Sequence, residues 1–380
     1  MAEMRPCLAR TFSINLTGDV MLGRLIDQLR PTHVSNPQEA QYIRPFAISD
    51  PRLRSYSSKS PWGGTLSLFH SSNLNIINLE TSVTTHSTPW PDKAFNYRMH
   101  PANIDFLREA RIHYASLANN HSLDFCEEGL VETVETLERE GIKFAGAGRS
   151  NEEALRPARL MLKDNTRSSD SDAELADNYE VHVYSASDHP EEWSQVSGFH
   201  LIDYTSQTRD HLKKLLNAEN IPKPSLKIFS VHWGPNYSWR PSRSIQDLAH
   251  FLVDECDVDI IHGHSSHHVQ GVEVYKNKPI IYGCGDFVDD YAVDPAFRNN
   301  ISALWRVVVG PKAEADVKLE VKKVEIYPTL CKRFITSRLQ KNNPDYGWVK
   351  ETLQRLSRTW GTKVAEEEGE DGYPKLMIAF

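Results

Sequence analysis

The sequence predicts an α/β fold. Apolar runs of β type alternate with amphipathic helical stretches along the chain, and several runs break off at Gly, Asn, Asp, Glu or His. The 380 residues suffice for one large domain or two ordinary ones. No internal repeat interrupts the alternation, and no apolar run reaches the length of a membrane span.

In chain order, TFSINLTGD (Thr11–Asp19) reads as the first strand and LNIINLE (Leu74–Glu80) as the second. IHYASLANNH (Ile112–His121) reads as the third, ending in Asn119, Asn120 and His121. A helix follows over Glu128–Glu140, because Leu130, Val134 and Leu137 share one face and Gly141 suits the left-handed stop. IKFAGAG (Ile142–Gly148) then completes a βαβ unit, and the polar, acidic stretch Lys163–Glu180 reads as a surface loop between two strands. LKIFSVHWG (Leu226–Gly234) is a strand. Its helix spans Ser244–Cys256, with Ile245, Leu248, Ala249, Leu252 and Val253 in one stripe. VDIIHGH (Val258–His264) is a strand, and Gly271–Phe287 a hairpin turning at Lys276-Asn277-Lys278. A last helix within Asn343–Gly361 puts Val349, Leu353, Leu356 and Trp360 on one face, and the charge run EEEGEDG behind it reads as a solvated tail. The division expected is a domain over 11–330, with 331–380 as a helix and acidic tail on or beside the core.

Net charge is −8, which supplies no basic excess for nucleic-acid binding. The N-terminus lacks the apolar segment of a secretory signal. Cys7, Cys126, Cys256, Cys284 and Cys331 are odd in number and scattered, without a CxxC pair. That pattern predicts a reducing, cytoplasmic setting, no thiolate zinc site and no membrane anchor.

The chemistry gathers at predicted strand ends. Asp19, Glu80, Asn120, His121, His232 and His264 each lie at the carboxyl end of a strand, Asn120 and His121 sharing one. In open α/β sheets that edge is where sites are built. DIIHGHSSHHVQG (Asp259–Gly271) holds His262, His264, His267 and His268, four of the chain's 16 histidines. Oxygen and imidazole donors without sulfur suit one or two divalent ions of Mn, Fe, Zn or Co. Two such ions clamp the attacking and leaving oxygens of a phosphoryl displacement.

The segments LTGDVMLGR, NLET, SLANNHSLDFCEEGL, VHWG and IIHGHSSHHVQGVEVYKNKPIIYGCGDF occur in that order. Together they resemble the capsule-biosynthesis CapA family, also called the poly-γ-glutamate synthesis family, over roughly Thr11–Val309. The resemblance implies a calcineurin-like metallophosphoesterase fold, a four-layer α/β/β/α sandwich. It implies that Asp19 serves the first ion, Glu80 bridges, and Asn120, His232 and His264 serve the second ion. His267 would complete the first site, and His121 would be catalytic rather than a ligand. One departure touches the ligands. The superfamily's Asp-x-His reads Asp19-Val20-Met21, which leaves at most Asp19, Glu80 and His267 for the first ion. The other departures, at Gly263–His267 and Tyr282–Phe287, lie at the rim and suggest a subfamily with its own substrate.

Several residues keep two readings. Asp124, three residues past His121, either orients that imidazole and raises its pKa or caps the next helix. His262 lies in an apolar run and reads as a satisfied core histidine; His268 reads as a surface or supporting residue. Arg24 and Arg98 are candidate anion clamps or surface ion pairs. Cys284 is a substrate-side thiol or a small buried residue, and Asp286 is grouped with the substrate-binding candidates.

The leading expectation is a metal-dependent phosphoesterase acting on a small anionic or a peptide- or polyglutamate-like substrate. In it His121, oriented by Asp124, gives a proton to the leaving oxygen. A second expectation uses the same imidazoles and carboxylates without metal, for acid–base chemistry on a peptide or γ-glutamyl substrate. A third is a non-catalytic binding protein on an old fold.

Overall fold

The computed structural model describes residues 10–163, 178–313, 315–369 and 371–380. Sheet one takes β1 (Phe12–Val20), β2 (Leu74–Leu79), β5 (Tyr114–Ser116) and β6 (Lys143–Ala145) in parallel. From the other edge of β1 it continues antiparallel through β14 (Ile301–Lys312), β15 (Ala315–Lys332), β18 (Pro374–Ala379) and β17 (Ala365–Glu368). A short β13 (Asp286–Val288) runs parallel to the end of β1, and β16 (Ile335–Arg338) pairs with β15. Sheet two has the order β11 (Val272–Tyr275), β12 (Lys278–Ile281), β10 (Ile260–His264), β9 (Leu226–His232), β8 (Tyr179–Ser187), β7 (Ala158–Leu162). Its four middle strands are parallel. Two-residue strands β3 (Ser82–Val83) and β4 (Arg98–Met99) pair separately.

Three apolar clusters stack these elements into layers. Between the sheets, Ile14, Leu16 and Ile76 of sheet one meet Val181, Val183, Ile228 and Ile260 of sheet two. Alternate residues of the same strands face outward. Ile77, Leu79 and Ala115 pack on Phe69, Phe106, Leu130 and Val134 of the helices covering sheet one. Phe229, Val231 and Ile261 pack on Leu212, Leu248 and Leu252 of those covering sheet two. This is the α/β/β/α sandwich. The parallel strands are buried on both faces, which is why they read as short, nearly continuous apolar runs.

The βαβ unit forms with its helix at Cys126–Arg139, and Gly141 takes φ +72° beyond it. The hairpin turns on Lys276 and Asn277, both at positive φ as a two-residue hairpin loop requires. Of the stretch Lys163–Glu180, residues 164–177 lie outside the described residues.

Three expectations need correction. The third strand stops at Ser116, and the Leu117–Ser122 segment instead turns, with Asn119 Oδ1 accepting the His121 N–H at 3.0 Å. The division at 330 falls inside β15, whose partner β18 comes from the chain's last residues. The acidic run is no free tail. Ala365–Glu368 forms an outer strand, Glu366 pairs with Lys350 at 2.9 Å, and Leu376 and Ile378 of its partner strand enter the core between the sheets.

Candidate metal centre

The carboxyl ends of both parallel sections meet at one rim. Two glycines make this possible. A Cβ on Gly18 would lie 2.0 Å from the Gly285 carbonyl oxygen, and one on Gly263 would lie 2.3 Å from that of Tyr282. The connection Tyr282–Gly285 therefore runs against the residues just before Asp19 and His264, which only glycine allows. Ser265 and His267 take φ of 97° and 62°, so the chain after His264 folds back sharply enough to return a second imidazole to the rim.

Two donor groups result. In one, ligand atoms of Asp19, His232 and His264 lie within 4.8 Å of one another; in the other, those of Asp19, Glu80, His267 and Asp286 do. Asp19 belongs to both. Glu80, expected to bridge, belongs to one group, and the carboxylate common to both is Asp19 near the end of β1. Asp286, expected beside the substrate, stands in the donor group, where β13 lays it opposite Asp19 in register. It offers a fourth oxygen-or-nitrogen donor to that group, which the thioether of the buried Met21 would not.

Inside the groups, His232 Nδ1 and His264 Nδ1 are 2.9 Å apart, and His267 Nδ1 is 2.9 Å from Asp286 and 3.7 Å from Asp19. Asn78 donates to Asp19 at 2.7 Å, and the Tyr291 hydroxyl to Glu80 at 3.2 Å. Asp19 Oδ2, Glu80 Oε1 and Asn120 Oδ1 are buried without a hydrogen-bond partner. Buried oxygens are normally satisfied, so the orphans on the grouped Asp19 and Glu80 indicate room for a ligand. Burial pushes the carboxyls of Asp19, Glu80 and Asp286 upward, and for Glu80 and Asp286 neighbouring carboxylates add to it. Asp289 reaches about 7 through burial, with Asp290 adding to it. Burial also pushes His232 and His264 well below the usual imidazole range. The donor set is mixed N/O, crowded with negative charge and rich in neutral imidazole. A divalent cation fits it.

His121 faces the same cleft. Its Nδ1 meets Asp124 at 2.7 Å, its ring stacks on Tyr97 with centroids 3.9 Å apart, and Asp124 also accepts the Tyr97 N–H at 2.5 Å and pairs with Lys93. Asp124 is therefore an orienter and not a cap; the helix beginning at Cys126 has no side-chain cap. The expected rise in the His121 pKa does not occur. Burial lowers it to about 4, with Lys93 acting in the same direction, and the opposing Asp124 does not make up the difference.

A cavity of about 570 Å³ opens over the centre, lined by Arg24, Lys93, Asn120, His121, His267 and Tyr291. Arg24 lies over the Tyr97 ring at 5.0 Å and 3.4 Å from Asp290. A second chamber of about 600 Å³ shares Arg24, Phe95 and Tyr97 with the first and adds Tyr42, Phe46 and Arg98. Arg98 belongs to that outer chamber, over the Phe125 ring and bonded to the His86 carbonyl. Of its two readings Cys284 takes that of a small buried residue: its thiol lies in the layer between the sheets, where burial pushes its pKa up. His262 is satisfied at both nitrogens; His268 is buried beside Trp239 and Phe297.

Sequence reasoning missed Lys93, Asp289 and the pair Asp188–His189. Lys93 and Asp289 carry no local signal. Asp188 and His189 follow Ser187, the last residue of β8, in the same pattern as the other rim residues. The His189 ring lies 5.0 Å from that of His232, and Asp188 accepts the Gly234 N–H at 2.8 Å. Among the described residues no helix is long and apolar enough to cross a membrane.

The model of the family described as "Bacterial capsule synthesis protein PGA_cap" matches residues 13–291. A "Probable polyglutamine synthesis accessory protein" of Mycobacterium tuberculosis strain H37Rv is 33% identical over 372 residues, covering 93% of each chain. The "PGA biosynthesis protein CapA" of Bacillus subtilis is 21% identical over 280 residues, covering 73% of this chain and 63% of its own. The "Capsule biosynthesis protein CapA" of Bacillus anthracis is 26% identical over 200 residues, covering 52% and 45%. Among solved structures, calcineurin-like phosphoesterase YfkN from Bacillus subtilis aligns with a TM-score of 0.42 at 12% identity, over 93% of this chain and 98% of its own. That likeness is too loose to carry any role over.

Proposed function

The chain belongs to the PGA_cap family, and from that premise we propose that it is a metal-dependent hydrolase whose site best supports cleavage of a phosphoester. The observation that carries the reading is Asp19, shared between two donor groups and left with an unpartnered buried oxygen. Asp19, His232, His264 and Asn120 would hold one ion; Asp19, Glu80, His267 and Asp286 would hold the other. Such ions polarise a phosphoryl oxygen and lower the pKa of a water toward neutrality.

The chain's own residues do the rest. Arg24 borders both chambers and offers a guanidinium fork to an anionic group. His121, held through Nδ1 by Asp124, presents Nε2 for proton exchange with the substrate. Lys93 fixes Asp124. The outer chamber gives space to a substrate body larger than the ester itself. The relatives' names speak of polyglutamine and PGA synthesis. The substrate we infer is therefore anionic, either small or borne on a peptide- or polyglutamate-like chain. The metal-free alternative uses the same imidazoles and carboxylates as acid and base; the absence of a ligand at Met21 lends it weight, and Asp286 beside Asp19 offsets that weight by offering a further donor.

The test pairs elemental mass spectrometry of untagged, unchelated protein with hydrolysis of bis-p-nitrophenyl phosphate before and after EDTA. One to two equivalents of transition metal, and activity lost to EDTA and restored by Mn²⁺, are expected. His121→Ala should keep its metal and lose about 10²- to 10⁴-fold in turnover. Turnover that survives chelation overturns the reading in favour of acid–base chemistry.

A further inference from the structure

We propose that Ser230 and His262 are positioning residues that fix the tautomer of His264, so that its Nδ1 always presents a lone pair to the centre. From the proposed function this takes only that His264 is a metal ligand.

Residues two apart on a strand share a face. Ser230 and His232 therefore share a face of β9, as His262 and His264 do on β10. The register pairs Ser230 with His262 and His232 with His264, two rungs apart on one parallel ladder with Val231 and Gly263 between them. Four polar side chains stand side by side at the inner end of the rim, all buried.

Their hydrogen bonds admit one assignment. His262 Nε2 lies 2.8 Å from the Thr17 carbonyl oxygen of sheet one. A carbonyl only accepts, so Nε2 carries the proton. Among the described residues the ring nitrogens meet only that carbonyl and the Ser230 hydroxyl, with no carboxylate to hold a second proton, so Nδ1 is the acceptor. Ser230 Oγ, 3.0 Å from that Nδ1, must donate its single proton to it. The same oxygen lies 3.1 Å from His264 Nε2 and can only accept there, so His264 is protonated at Nε2. Its Nδ1 is left with a lone pair, 2.9 Å from His232 Nδ1. The order of donation runs from His264 through Ser230 and His262 to a backbone carbonyl, an anchor that cannot reverse. Outer partners of metal-binding histidines set ring orientation and tautomer in this way, and their loss costs about ten- to a hundredfold in affinity.

The experiment has two readouts on the full chain. Long-range ¹H–¹⁵N correlation spectra of ¹⁵N-histidine-labelled, ion-free protein report the His264 tautomer directly, assigned by comparison with His264→Asn. Calorimetric titration with Mn²⁺ reports affinity. Wild type should show His264 protonated at Nε2 alone. Ser230→Ala should give a mixture of tautomers and bind Mn²⁺ about ten- to a hundredfold more weakly. Ser230→Thr, which keeps the hydroxyl, should restore both. A wild-type His264 protonated at Nδ1 overturns the proposal. So does a Ser230→Ala protein with unchanged tautomer and affinity, or a Ser230→Thr protein as impaired as the alanine variant. If wild type binds no Mn²⁺, the hydrolase reading fails while the spectra still decide the tautomer.

Discussion

Glu325 on β15 and Asp19 on β1 are both carboxylates buried in sheet one, and their surroundings follow opposite rules. Burial would raise the Glu325 carboxyl, but Lys323 at 2.8 Å, Lys375 at 2.6 Å and the Tyr327 hydroxyl at 2.8 Å outweigh it and hold it at about 2. At Asp19 burial wins over His267 and Asn78, the carboxyl is pushed up, and one oxygen has no partner. The first arrangement is what a chain does with a charge it needs for structure. The second costs stability, and the proposed cation would complete it.

That contrast breaks most visibly at Asp19. Asp19→Ala should lose metal from both groups and lower hydrolysis at least about a hundredfold, beyond what outer partners cost. Its ion-free form should nonetheless be more stable than wild type by about 1–2 kcal/mol in urea. A loss of stability would place Asp19 with Glu325. Glu325→Gln should do the reverse, losing about 1–3 kcal/mol at pH 7 with metal content unchanged. Because the folded Glu325 carboxyl is held below its ordinary value, its contribution is present above about pH 4.5 and fades as pH falls toward 2. Wild type and variant should therefore converge in acid.

At the rim the sign reverses for the carboxyls. Raised by folding, they bind protons more tightly in the native state, so their contribution to ion-free stability is lost as pH rises from about 4 to 7, the range set by Asp289, while the imidazoles of His121, His232 and His264, held low by burial, act with the opposite slope. Added Mn²⁺ should raise the melting temperature more at pH 7.5 than at pH 5, and an equal rise at both would remove the distinction. The smallest effect is expected at Cys284. Cys284→Ala should cost about 1 kcal/mol and leave metal content unchanged, since the thiol belongs to the interior.

Much of this was legible in the residues. The ends of β1, β2, β9 and β10 were readable because strands buried on both faces become apolar runs, and a polar residue marks where each run leaves cover. The paired spacings Ser230/His232 and His262/His264 carry the strand period. β15 was harder, because a register shift opposite Val308–Val309 breaks its alternation, so that Val321 and Val324 face one core three residues apart. The acidic run misled because composition says nothing about partners: Lys341, Lys350 and Lys375 wait in space. Asp286 looked like a substrate residue until β13 was seen to pair with β1, a contact between distant parts of the chain. Nothing near Lys93 announces that it will meet Asp124.

The two sheets also differ in when they come into being. Sheet two is drawn from a continuous stretch, Ala158 to Ile281. Sheet one joins Phe12 to Val309, among the longest closures the chain makes, and is extended by Lys323 pairing with Ala379. On the ribosome the first can assemble while the second waits with an edge of β1 open, since its partners are not yet translated. The layer between them includes Phe12 and Ile378 alike. Removing β18 would thus take Leu376 and Ile378 out of the layer on which both sheets, and so both halves of the rim, are packed.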